Sequence, residues 1–379
     1  MRIGVNALQM KSAAGHSKAG LSRYAWNLIE ALVRENSQHE FFVYINQQFE
    51  VPDSWKEKPN FKFLRTRGKI GRMPHVWGTI AASFLSRRYD VWLSLAHTLP
   101  VWTRTPKVLV VHDLFAVTNP ELYVTRRARI TADSLRRSIL IANRLIAVSE
   151  STKQEIHRIF RTPLSKIDVT LLGPGNAILR RERRSLRQED LTELGVPWKR
   201  YLLMLSTIEP RKNVPRLLQA FALLQSRTGF GDFGLAIAGG KGWEHSDVFQ
   251  IPKTLGIEES VRFLGYVDDE DLPSLFAGCE AFVLPSLTEG FGITVLEAML
   301  AGAPVVCSRT GSLPEVGGDA AMYFDPTDEK DMAAVLEARL NWTVPRESVV
   351  EKGLLQAAKF SWQIAARGTL KALEEAQRV

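Results

Sequence analysis

The sequence predicts an α/β protein made of two Rossmann-like domains that face each other across a cleft. Three observations carry this reading. The chain has 379 residues, more than one hydrophobic core usually organises. Short apolar, β-branched runs alternate with longer amphipathic stretches along its whole length, the pattern of parallel strands joined by crossover helices. A charged stretch at 179–191, LRRERRSLRQEDL, interrupts this alternation between the Gly173-Pro174-Gly175 turn and Gly195-Val196-Pro197.

In chain order, the first half offers strands at 2–7, 41–46, 61–64, 91–95, 108–112, 145–149 and 168–172. The second half offers 201–206, 234–238, 261–264, 281–284, 305–308 and 321–324. The expected division is an N-terminal domain at 1–178, a linker at 179–194 and a second domain at 195–357. A C-terminal segment at 358–379 follows, in which Phe360-Ser361-Trp362 leads into a helical pattern with no strand after it. That helix is expected to pack back on the first domain.

Composition narrows the function. Hydrophobic residues make up 45% and charged residues 24%, as in ordinary globular proteins. Cys279 and Cys307 sit in apolar contexts without metal-ligand spacing, so they read as buried reduced thiols. The chain enters a strand almost at once, lacks a signal-peptide core and has no apolar run near the ~20 residues that span a bilayer. The expected location is therefore the cytoplasm. Residues 1–187 hold 31 Lys and Arg against 14 Asp and Glu, net +17, while residues 188–379 hold 18 against 27, net −9. An anionic surface is the expected partner of the first half.

Ligands of open parallel sheets bind beyond the carboxyl ends of the strands, and three motifs fall there. After the strand at 281–284 comes Thr288-Glu289-Gly290-Phe291-Gly292, then a helix containing Ile293, Thr294 and Glu297. Gly290 and Gly292 allow close backbone approach, and the amides from Phe291 to Thr294 can hold phosphate. A carboxylate beside a phosphate would repel it, so Glu289 and Glu297 are suited instead to paired hydroxyls on either side. A sugar nucleotide has that arrangement. In the second motif, Arg211 and Lys212 follow the strand at 201–206 and can supply charge to a diphosphate leaving group. The third is His112-Asp113, after the strand at 108–112.

Two other stretches carry less. Asp269-Glu270-Asp271 stands where a helix begins, so capping and the helix dipole account for its acids without a metal. Residues 236–244, AIAGGKGWE, lack the spaced glycines of a dinucleotide fingerprint.

Glu289 and Glu297 within EGFGITVLEAMLAGAPVV, together with EPRKN and HDL, resemble family 4 of the retaining glycosyltransferases, which have the GT-B fold. The resemblance covers nearly the whole chain, including GSLPEVGGDAAMYFDP at 311–326. It implies that Glu297 binds the donor ribose and Glu289 the donor sugar, that Arg211 and Lys212 hold the diphosphate, and that His112 lies near the transferred sugar. It also matches Gly20-Leu21-Ser22-Arg23-Tyr24 to the family's glycine-rich loop, with Gly20 carried over. The sequence departs from the family at Ser22 and Ser206, where relatives often have glycine, while Gly15 and Gly20 keep the loop able to close. The form EPRKN with HDLF is similar to mannosyl- and rhamnosyltransferases, which makes GDP-mannose the first expected donor and a UDP-sugar the second. The implied reaction is same-face transfer through an oxocarbenium-like state, completed by domain closure and needing no cofactor or divalent metal.

The implied acceptor is a lipid-linked glycan or growing polysaccharide held by the first domain at the inner face of the cell membrane. A helix at 125–143 aligns Arg126, Arg127, Arg129, Arg136 and Arg137 on one side and Ala128, Ala132, Leu135, Ile139 and Ala142 on the other, with Ile130 breaking the pattern. Residues 65–77 add further basic groups among apolar neighbours. Each basic residue near an anionic leaflet contributes ~1 kcal/mol, enough in sum for peripheral attachment. Two alternatives remain open at this level. Another GT-B enzyme, such as a nucleotide-sugar epimerase, would change the donor without an acceptor. A nucleic-acid binder would explain the basic half but would leave the paired glutamates without a purpose.

Overall fold

The structure is a computed structural model that describes all residues except 11–19, 36–37, 67–73, 121–125, 176–185, 228, 241, 243–246, 342–343 and 379, and the side chains of 74 and 126–128. It divides into two compact units. The first comprises Met1–Gly173 and Ser361–Val379, and the second Pro174–Phe360.

The first unit holds β1 (Arg2–Asn6), β2 (Glu40–Ile45), β3 (Phe61–Arg65), β4 (Val91–Ser94), β5 (Lys107–Val111), β6 (Arg144–Ala147) and β7 (Ile167–Val169). Their order across the sheet is β3-β2-β1-β4-β5-β6-β7, and every pairing is parallel. The second unit holds β8 (Tyr201–Leu205), β9 (Gly234–Ala238), β10 (Val261–Gly265), β11 (Ala281–Leu284), β12 (Val305–Ser308) and β13 (Ala321–Phe324). Its order is β10-β9-β8-β11-β12-β13, again parallel throughout. Helices cover both faces of such sheets, so the strands read as uninterrupted apolar runs: β5, β9, β11 and β12 are buried at every position.

Strand order reverses between β1 and β4 in one sheet and between β8 and β11 in the other, which opens a crevice at the carboxyl ends of each pair. The motifs after β8 and β11 therefore converge on one switch point.

The chain crosses between units at Gly173–Pro174 and returns at Phe360–Ser361. The expected linker at 179–194 differs from this. Residues 179–185 lie outside the described residues, and the helix Gln188–Glu193 belongs to the second unit, where Leu191 is buried beside Gly278. The returning segment forms the helix Trp362–Gln377, whose N-cap Ser361 accepts from the Ile364 amide. That helix belongs to the first unit. Glu375 pairs with Arg144 at 2.6 Å, Arg367 with Glu35 at 3.1 Å, and Trp362 meets Tyr24 edge-on at 5.6 Å.

Candidate functional site

The loop after β8 ends in a tight turn, Pro210–Lys212, in which proline fixes the first position. Asn213 then takes a left-handed conformation, φ 57°, which asparagine tolerates better than most residues. Its side-chain amide donates to the carbonyls of Pro285, at 3.1 Å, and Pro326, at 2.7 Å, and the Leu287 amide donates to the Arg211 carbonyl at 2.8 Å. The loops after β8, β11 and β13 are thereby laced together, and Arg211 and Lys212 are held beside Glu289.

Glu289 lies buried between these cations. Arg211 donates to its Oε2 at 2.6 Å, Ser286 donates to its Oε1 at 2.7 Å, and Lys212 also donates to Oε1. Burial alone would raise its pKa, but Arg211, Lys212 and the hydrogen bonds from Lys212 and Ser286 outweigh it and bring the carboxyl down to about 2. Burial pulls the Lys212 ammonium below its ordinary value, while Glu289 works to keep the proton on it. On its other side Arg211 donates through Nε, at 3.0 Å, and NH2, at 2.6 Å, to Glu209, and it reaches the Thr288 carbonyl at 3.2 Å. The ion-paired cluster of Glu209, Arg211, Lys212 and Glu289 is therefore neutral as it stands.

Beyond Glu289 the chain turns into the helix Ile293–Leu300 through Gly292, at φ 88°, where a side chain would also strike Leu313. The first amides of that helix, at Ile293 and Thr294, belong to half-buried residues; Gly290 and Phe291, before it, are buried. Glu297, one turn in, is 0% exposed. The crossing segment lies against its carboxylate so closely that a Cβ on Gly175 would stand 2.6 Å from Glu297 Oε1.

In the first unit, Gly20 opens the helix Gly20–Arg34 and is exposed, while Gly15 lies outside the described residues. Tyr24, one turn on, is buried and meets the His112 ring edge-on at 4.5 Å. His112 follows β5, and its Nε2 donates to the Leu95 carbonyl at 3.2 Å, which leaves Nδ1 as an acceptor. Burial, helped by neighbouring His97, lowers its pKa to about 4 against the Leu95 bond and Asp113. His112 is thus neutral near pH 7.

The basic helix spans Arg126–Ile141, with Ala132, Leu135 and Ile139 buried and Arg129, Arg136, Arg137 and Ile130 exposed. The side chains of Arg126 and Arg127, and most of the basic run at 65–77, lie outside the described residues. Asp271 does stand at the start of the helix Leu272–Gly278, but its side chain makes no cap bond, which corrects the capping expected of it. Cys279 and Cys307 are buried thiols outside any disulfide; Cys279 Sγ donates to the Phe276 carbonyl at 3.1 Å, and burial raises the Cys307 thiol. Among the described residues no group of His, Cys, Asp and Glu is placed to hold a metal ion, and no helix is long and apolar enough to cross a membrane.

Ser286 is a contributor that no motif in the sequence marks. Glu209 and Asn213 stand at the two ends of EPRKN, but the parts they play were not assigned from the sequence; Asn213 alone carries a local signal, an asparagine directly after a proline-led turn.

Two family models match the chain: one described as "Glycosyl transferases group 1" over residues 188–353, the other as "Glycosyltransferase Family 4" over residues 19–173. The chain is 38% identical over 265 residues to an O-antigen chain mannosyltransferase B of Escherichia coli, covering 70% of this chain and 69% of the relative. It is 29% identical over 284 residues to a serotype-specific mannosyltransferase WbdA of Escherichia coli, covering 71% of this chain but spanning only 34% of that longer protein. Among solved structures it is similar to WaaG, a glycosyltransferase involved in lipopolysaccharide biosynthesis, with TM-score 0.70 at 18% identity over 98% of both chains. It is also similar to Anabaena HepE in complex with UDP and glucose, with TM-score 0.68 at 18% identity over 99% of this chain and 100% of that one.

Proposed function

Because the chain belongs to glycosyltransferase family 4 and has the GT-B fold, we propose that it is a retaining mannosyltransferase using GDP-mannose, with a UDP-sugar as the second candidate donor. The acceptor in this reading is a hydroxyl of a lipid-linked glycan or polysaccharide, in keeping with the similarity to an O-antigen chain mannosyltransferase. The observation that carries the reading is the meeting of Arg211, Lys212 and Glu289 at the switch point, beside the glycine-led helix of Glu297.

The neutral cluster suggests how a donor would enter. A diphosphate gains little from cations whose charge is already offset, so binding exchanges partners. Lys212 turns from Glu289 to the diphosphate, and hydroxyls of the donor sugar take its place on Glu289. Arg211, clamped between Glu209 and Glu289, stays as the frame of the site and adds its field. Glu297 accepts from the ribose, and the amides at Ile293 and Thr294 face phosphate. As the glycosidic bond breaks, charge grows on the leaving diphosphate, and Lys212 stabilises it most in the transition state. These cations do the work a divalent metal would otherwise do. Neutral His112 offers Nδ1 to the transferred sugar without adding charge. Exposed Arg129, Arg136 and Arg137 draw the protein to the anionic inner face of the cell membrane.

Thermal unfolding with GDP, UDP, ADP and dTDP and their sugars, with EDTA present, tests this. GDP and GDP-mannose should raise Tm, by about 2.7 kcal/mol of stabilisation at a hundredfold excess over Kd, and Glu297→Ala should remove most of the shift. No shift with any nucleotide, or donor conversion without acceptor, overturns the proposal.

A further inference from the structure

The first unit presents an apolar and basic surface that the donor chemistry does not use. Residues 74–88 form a helical run in which Ile80 and Phe84, one turn apart, are 41% and 59% exposed. Beside it, the loop before β5 exposes Val101 at 41% and Trp102 at 57%. The loop is fastened to the helical run through its backbone. Ser83 Oγ accepts from the amides of Val101, at 2.9 Å, and Trp102, at 3.1 Å. Arg87 donates to the Trp102 carbonyl at 3.2 Å, and its guanidinium stands 5.5 Å from the centre of the Phe84 ring. Arg87, Trp102, Thr103, Arg104 and Thr105 line a depression of about 580 Å³.

Charge around this surface is one-sided. Residues 74–107, which include the helical run and the loop before β5, contain Arg87, Arg88, Arg104 and Lys107 against a single acid, Asp90. Among the described residues Arg87, Arg88 and Arg104 form no ion pair, whereas Arg211 and Arg144 are each held between carboxylates. Aliphatic Ile80 and Val101 offer no stacking face to a nucleic-acid base. Aromatic and aliphatic groups beside unpaired guanidiniums suit a medium that is apolar below and anionic above, the boundary between acyl chains and phosphate headgroups.

We propose that this surface docks on an anionic phospholipid bilayer, with Phe84 and Trp102 entering the headgroup boundary and Arg87 and Arg104 engaging headgroup phosphates. The proposal rests on the peripheral reading above and assigns a different surface to it: the arginine helix attracts at a distance, and this patch inserts. Arg87 and Arg88 lead into β4 and Thr103–Thr105 lead into β5, so the patch lies at the amino ends of those strands. His112 follows the carboxyl end of β5, about 16 Å away along a five-residue strand. Docking therefore leaves the edge that carries His112 clear.

Flotation of the full chain with phosphatidylcholine vesicles, with and without about 30% phosphatidylglycerol, tests this, read together with tryptophan emission. The wild type should float with anionic vesicles with a blue-shifted emission, and part of the binding should survive ~0.5 M salt, where charge attraction alone is screened. Phe84→Ser with Trp102→Ser should lose about tenfold in vesicle affinity and all salt-resistant binding, with unchanged Tm and unchanged thermal shift by GDP. Arg87→Glu with Arg104→Glu should remove the preference for anionic vesicles. If the serine variant floats as wild type while Arg129→Glu with Arg137→Glu abolishes flotation, the patch is wrong and the peripheral reading stands. If the wild type never floats, both fall. A concentration-dependent dimer lost in the serine variant would assign the patch to a second copy of the chain and overturn the proposal.

Discussion

In the second unit, the loops after β8 and β11 converge on ionised groups, whereas the loop after β5 in the first unit converges on histidines that burial keeps neutral. The scaffolds are alike, and so is the position at the carboxyl end of a parallel strand. The difference lies in partners. A buried charge persists only where a counter-charge and hydrogen bonds replace its water. Glu289 has Arg211, Lys212 and Ser286 for this. His112 has a carbonyl and another histidine nearby, so losing the proton is the cheaper state. In the proposed reading, the charged groups of the second unit serve a departing diphosphate and the neutral histidine of the first an uncharged sugar.

The largest effect that could break this comparison is in catalysis. Lys212→Ala should lower kcat by about 10²–10³-fold with a smaller change in nucleotide affinity, because the residue acts chiefly on charge that develops in the transition state. Arg211→Ala should instead lower Tm more than Lys212→Ala does, since it unfastens Glu209, Thr288 and Glu289 together. Equal losses of kcat with unchanged Tm for both variants would erase the division between a mobile and a framing cation.

Acid unfolding comes next in size. His112 has a folded pKa of about 4, below the usual 6.5, so the stability it contributes is complete above pH 6.5 and lost as pH falls through 4. His97, lowered by burial, acts in the same direction, while Glu155, raised by burial, opposes it. Glu289, at about 2 against 4.5, contributes fully above pH 4.5 and is lost as pH falls through 2. The first unit should therefore weaken at higher pH than the second. Six of the nine tryptophans lie in the first unit, so tryptophan fluorescence should change before far-ultraviolet circular dichroism is fully lost. A reversed order would contradict the assigned charge states.

Smaller changes sharpen the second unit alone. Gly175→Ala places a methyl group 2.6 Å from Glu297 Oε1 and should raise nucleotide Kd about tenfold by displacing that carboxylate, a change calorimetry would read. Gly231→Ala, in open space, serves as the control. Ser286→Ala removes one donor from buried Glu289 and should cost about 1 kcal/mol in denaturant unfolding. An unchanged midpoint would mean that Arg211 and Lys212 satisfy the carboxylate unaided.

The strands were legible as short apolar or β-branched runs between helical patterns, clearest where burial is complete, as in β5, β9, β11 and β12: all thirteen appear where such runs occur, with ends differing by up to three residues. The paired glutamates were legible because glycines at Gly290 and Gly292 mark a helix start after a strand. The crossing between units was not. The charged run at 179–191 drew attention to itself by composition, whereas the boundary depends on which unit each segment packs against, as Gly173 does with Trp362. Ser286 was hidden, and so were the parts played by Glu209 and Asn213 within EPRKN, because each depends on which side chain or carbonyl it meets once the loops are folded.

The sequence by itself determined two parallel sheets, the edge at which ligands would meet them and the residue types available there, since these follow from local periodicity and turn chemistry. Only the tertiary structure decided that Glu289 is held by both cations, that Arg211 is shared between two carboxylates, that Gly175 backs Glu297, and that His112 is neutral. Each of those depends on distance and burial between segments far apart in the chain, and charge states are set by neighbours in space.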